Sequence, residues 1–130
     1  MEQNDVFFHD FHVSMDIYLK FIDLFHDKNP LHIDPVYAKQ KGFSEVVMFG
    51  NILNGFLSFF IGECLPIKNV IIHHQQIKYI APFYLLDMLT LEVKVMDVYE
   101  SVNVVEFKFK FTNQKSALIA KGSIQIGLLQ

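Results

Sequence analysis

Two side chains able to move protons stand five residues apart in the run FHDKNPLHID: Asp27 and His32, with Asn29-Pro30 between them. A carboxylate and an imidazole sharing one water can take a proton from it and deliver one elsewhere, and a positioned acid–base group contributes about 100 to 10,000-fold to a rate. The residues alone also allow a plainer reading, in which Asp27 caps a turn and His32 is a core histidine. Other reactive side chains offer less. The single cysteine, Cys64, lies near the end of an apolar run and reads as a small core residue rather than a nucleophile. His73 and His74 adjoin on an expected strand, where neighbours point to opposite faces, so they do not pair as ligands and no metal is expected.

The elements that would position Asp27 and His32 follow from pattern. Ser14 is placed as the N-cap of a helix over MDIYLKFIDLFH, with Ile17, Phe21, Leu24 and Phe25 at helical spacing. Asn29-Pro30 ends that helix, because the residue before proline is pushed out of the α region. Asp27 then falls at the helix's C-terminal end, where the macrodipole disfavours a carboxylate by about 0.3 to 1 kcal/mol. A rule broken at one spot tends to mark function. DPVYAKQKG predicts a short helix with Pro35 in its first turn and Gly42 as its stop.

The uncharged run VVMFGNILNGFLSFFIG, residues 46 to 62, is shorter than the roughly 20 residues a bilayer-crossing helix needs. Apolar nearly all round, it predicts a buried central helix over residues 50–64 with no polar face. From Asn69 onward the chain reads as strands, and VEFKFKF alternates apolar and charged residues with the period of a sheet having one wet face. Helices first and long antiparallel strands after them give an α+β domain.

Composition narrows the function. With 130 residues and a 52% hydrophobic fraction, the chain predicts one compact domain over residues 1–130, without repeats or linkers. Net charge is −3 and all eleven cationic side chains are lysine, so no nucleic acid partner is expected. The lone cysteine and the acidic opening MEQNDVFFHD, which gives no secretory signal, point to a cytoplasmic home. No membrane association is expected.

The run FHDKNPLHIDPVYA, followed by KGFSEVVMFGNILNGFLSFFIG, resembles the MaoC-like dehydratase and (R)-specific enoyl-CoA hydratase family. That family's hallmark reads S-G-D-x-N-P-L-H, with H-G-M-L before a central helix. The resemblance implies a hotdog fold, a curved antiparallel sheet wrapped around the apolar helix. It implies hydration of an enoyl thioester, or dehydration of a 3-hydroxyacyl thioester, carried on coenzyme A or acyl carrier protein, with no cofactor. Asp27 and His32 fall on the catalytic pair, and Gly50 falls on the glycine whose N–H faces the thioester carbonyl. Ser58 falls on a supporting helix serine, while Asn29, Phe49, Asn51 and Ser58 are expected around the substrate. An uncovered sheet edge and helix side predict a homodimer or larger assembly.

The departures are Phe25-His26 for Ser-Gly, Phe49 for His, Asn51 for Met, and Leu86-Asp87 for Gly-Asp. They bear on pocket shape. A thioesterase of the same fold would carry its carboxylate on the central helix, where only Glu63 stands, late in the run. A non-catalytic acyl-binding subunit is the alternative that Phe49 and Asn51 leave open.

Overall fold

A computed structural model describes residues 1–130. Five antiparallel strands form one sheet: β1 (Val6–His12), β2 (Val70–Tyr79), β3 (Met88–Tyr99), β4 (Val104–Thr112) and β5 (Leu118–Leu128), in the order β1-β3-β4-β5-β2. Helices α1 (Met15–Phe25), α2 (Pro30–Ile33), α3 (Pro35–Gln40) and α4 (Asn51–Phe59) all precede β2, and a π-helical turn, Phe60–Cys64, extends α4. This is the expected α+β arrangement.

The core lies between the sheet's inner face and α4. Val105, Phe107, Phe109 and Phe111 of β4 are buried while Lys108 and Lys110 are exposed, as the alternation requires. Ile52, Leu53, Phe56 and Leu57 of α4 face them. Each such side chain contributes about 1.5 to 3 kcal/mol when removed from water.

The structure adds one strand to the expected elements and corrects three expectations. The opening VFFHDFH is a full strand, paired with β3 from Val6–Lys94 to His12–Met88. Its inward positions are Phe7, His9 and Phe11, but Val6 and Phe8 on the outer face mask the polar alternation. The central helix does have a wet side: Asn51, Gly55, Ser58, Phe59 and Gly62 are exposed at helical spacing. Helix α1 stops at Phe25 with His26 in the left-handed region (φ 55°), so Asp27 lies two residues beyond the helix and not in its last turn. Finally, a β-bulge at His73 breaks the alternation of β2. The His73 ring sits over Gly127, and His74 lines a depression with Glu106 and Gln125, so both imidazoles lie on the outer face. No third ligand joins them.

Candidate active site

Segment 25–40 is built from two repeats of one local device. Asn29 accepts the Leu31 N–H (3.1 Å) and Pro30 opens α2; Asp34 accepts the Val36 and Tyr37 N–H groups (3.0 and 3.2 Å) and Pro35 opens α3. A capping side chain followed by proline at the first helical position starts a helix abruptly. Asn29-Pro30 is therefore a helix start, α1 having already ended at Phe25. The carbonyl oxygen of the Asn29 side chain is occupied as a cap.

His32 is half-buried and fixed from three sides. Its Nδ1 donates to the Val47 carbonyl (2.7 Å), its ring lies 4.4 Å from that of Phe49, and its own carbonyl accepts the Tyr18 hydroxyl (2.5 Å). Holding Nδ1–H on a carbonyl leaves Nε2 as the proton-exchanging nitrogen. Burial pushes the Tyr18 phenol above its ordinary value and keeps it a donor.

Asp27 is exposed, with one carboxylate oxygen accepting the Asn29 N–H (3.1 Å). It lines a cavity of about 750 Å³ whose one wall is the apolar stripe of α1, including Phe21 and Leu24, and whose other is α4 at Asn51, Asn54 and Gly55. His32 and Gly50 line a second cavity of about 340 Å³, with Met48 and Tyr79. Asp27 and His32 make no direct hydrogen bond. Consecutive residues, Gly50 and Asn51, line one cavity each, so the two cavities meet at the start of α4.

Gly50 precedes α4 with no side-chain cap, and neither its N–H nor that of Asn51 is hydrogen-bonded within the chain. Two backbone donors at a helix N-terminus suit a developing oxyanion. A side chain at Gly50 would place its Cβ 2.9 Å from the Tyr79 ring, so a larger residue here would push that ring aside.

Phe49 is 2% exposed, stacked on Phe21 at 4.5 Å, and lines neither cavity; it packs beneath the helix start. Ser58 is exposed on α4, lines neither cavity, and makes no hydrogen bond to Asp27. Cys64 lies 3.7 Å from His9 Nδ1, and burial raises its thiol pKa against the pull of Lys68, which fits the core reading.

Sequence reasoning missed Tyr18, Val47, Asn54, Gln75 and Tyr79. A signal existed for three of them. Asn54 interrupts an apolar helix one turn after Asn51, and Gln75 and Tyr79 occupy β2 positions in register with the inward-facing Ile124 and Ala120.

No protein-family model matches the chain. It is 30% identical over 108 residues to an (R)-specific enoyl-CoA hydratase of Aeromonas caviae, covering 83% of this chain and 81% of that protein. Among solved structures, the (R)-hydratase from A. caviae involved in PHA biosynthesis superposes with a TM-score of 0.90 at 26% identity, covering 98% of this chain and 97% of the other. A MaoC-like dehydratase from Rhodospirillum rubrum has a TM-score of 0.82 at 17% identity, covering 100% and 94%, and shares the fold.

Proposed function

The chain belongs to the (R)-specific enoyl-CoA hydratase family, and from that premise we propose that it adds water across an α,β-unsaturated acyl-CoA to give the (R)-3-hydroxyacyl product. The observation that carries the assignment of roles is the pinned imidazole, with Nδ1 on the Val47 carbonyl and the ring in one cavity with Gly50, whose N–H is unpaired.

Asp27 takes a proton from water as the water oxygen bonds to the β carbon. Electron density moves from the double bond to the thioester oxygen, where the Gly50 N–H stabilises it. One such donor is typically worth about 3 to 4 kcal/mol in the transition state. The bare Nε2 of His32 then takes the proton held on Asp27 and delivers it to the α carbon as the electron pair returns from the thioester oxygen. The sum is one water added and both side chains restored. Substrate lies across the start of α4, which is why the two groups need not touch in the free protein.

Asn29 and Phe49 act here by placing Asp27 and His32, and Asn51 borders the substrate on the Asp27 side. Ser58 has its place on the exposed side of α4, where a second subunit would bring it near substrate. The carrier proposed is coenzyme A rather than acyl carrier protein, a choice supported by the names of the relatives; Lys20, at the larger cavity, is the cation on hand for a phosphate. A free thiol at Cys64 suits the cytoplasm.

Incubation with crotonyl-CoA tests the assignment. Loss of conjugated absorbance without free thiol is the expected result. Release of thiol would make the protein a thioesterase, and no change in either signal, with the acyl-CoA still bound, would make it a binding subunit.

A further inference from the structure

Helix α4 starts without the side chain that usually secures a helix N-terminus. Gly50 has none to offer, and a cap would consume the N–H groups that the proposed oxyanion site needs. Something else must hold the first turn still, because donors act in catalysis only when aimed in advance.

The structure holds it from the side. Asn54, one turn into α4, donates through Nδ2 to the Asn51 side-chain oxygen (2.8 Å) and to the Tyr79 hydroxyl (3.1 Å). Its own side-chain oxygen accepts from Gln75 Nε2 (2.7 Å). Gln75 and Tyr79 both belong to β2, and the Tyr79 ring fills the space over Gly50. One carboxamide thus ties the first helical residue to two points on a neighbouring strand. It does so while leaving the Gly50 and Asn51 N–H groups unpaired.

We propose that Asn54, with Gln75 and Tyr79, is a lateral clamp that replaces the N-cap and aims the backbone donors at the start of α4. Asn54 is a positioning residue, and its role rests on the reading of Gly50 as the oxyanion donor. Contacts made by an aimed donor strengthen as charge develops, so loosening it lowers kcat and spares substrate binding.

The test is Asn54→Ala assayed with crotonyl-CoA, beside hydrogen exchange at Ile52 and Leu53, whose amides close the first turn onto the Phe49 and Gly50 carbonyls. The expected result is a roughly tenfold fall in kcat, KM within about twofold of the parent, and faster exchange at those two amides. Tyr79→Phe keeps the ring over Gly50 and removes one bond, so it gives a smaller fall of the same kind and serves if Asn54→Ala does not fold. A rise in KM with kcat retained would make Asn54 a direct substrate contact and overturn the clamp. Parent kinetics in Asn54→Ala, with activity lost in Gly50→Pro, which fits the Gly50 φ of −56° and deletes the N–H, would overturn the clamp alone. Parent kinetics in both variants would remove the Gly50 reading as well.

Discussion

At the scale of single residues, Asp27 and His32 line separate cavities that meet at the start of α4 and are proposed to exchange protons through one water. Asp27→Asn retains an oxygen to accept the Asn29 N–H (3.1 Å), so its melting temperature should match the parent's while kcat falls about 100 to 10,000-fold. His32→Ala should fall by a similar factor, and the double variant should be hardly slower than the worse single one, because groups acting as a unit are not additive. Full additivity in steady-state rates would mean the two do not share a proton path. Tyr18 offers a pH prediction. Its phenol is raised above the ordinary 10.0 by burial, so the folded chain holds that proton more tightly than the unfolded chain does. Its contribution is complete below pH 10 and is lost as pH rises through the folded value. Tyr18→Phe should cost about 1 kcal/mol at neutral pH by losing the bond to the His32 carbonyl, and that gap should close above pH 10 in urea unfolding curves. The types and spacing of Asp27 and His32 were legible in the sequence because D-x-N-P-L-H is so unusual a string. That Val47 and Tyr18 hold the histidine was not legible, since a backbone carbonyl has no sequence signature.

At the scale of elements, the helix starts and strands were largely readable, and the exceptions have local causes. Asn29-Pro30 looks like a helix end because proline restricts the residue before it; it is a start instead, because Asn29 caps the next turn and α1 has already ended at Phe25. Strand β1 hid behind its outward Phe8. Leu86 is a third case: it sits at φ 71°, in the left-handed region, while Asp87 behind it is buried on the Tyr84 N–H and the Gln114 amide. A leucine does not announce that conformation by itself; the signal was the glycine that the resembled family carries at this position. The left-handed region costs a side-chain-bearing residue about 1 to 2 kcal/mol, and glycine loses about 0.5 to 1 kcal/mol of that advantage through its freer unfolded chain. The Leu86 side chain is 63% exposed and gives little back, so Leu86→Gly should raise stability by about 0.5 to 1 kcal/mol. Chemical denaturation checks this, and a lower midpoint would mean that Leu86 packs against something in the assembled protein. Phe49 carries a different prediction, since its ring lies under the helix start and not at a cavity wall. Phe49→His should lose about 1.5 to 3 kcal/mol of burial yet leave the ratio of kcat/KM values among short, medium and branched enoyl thioesters unchanged. A shifted profile would bring the ring into the substrate channel.

At the scale of the whole molecule, the sheet leaves two edges, β1 and β2, and α4 leaves one side uncovered. On that side Asn51, Gly55, Ser58 and Gly62 are small or polar and keep the helix surface low, while Phe59 rises from it with 47% of its surface exposed. Phe59 is not idle within the chain, for its ring meets those of His9 and Phe11 at 5.6 and 6.0 Å. An aromatic ring held in place over a flat, small-residue surface is the pattern of an anchor waiting for a pocket, and open strand edges beside it invite pairing. The cavity holding Asp27 opens along the same helix, at Asn51, Asn54 and Gly55, so a second copy seated on this face would border the substrate and approach Ser58. The chain should therefore sediment as a homodimer at micromolar concentration. Phe59→Glu places a charge in the middle of that face, and desolvating an unpaired carboxylate at an interface costs several kcal/mol. The variant should run as a monomer with a parent-like circular dichroism spectrum and reduced hydratase activity, because its active site would lack the partner's wall. Sedimentation equilibrium and a crotonyl-CoA assay on the same samples decide the matter: a parent monomer that hydrates at full rate would show that one chain completes the site by itself.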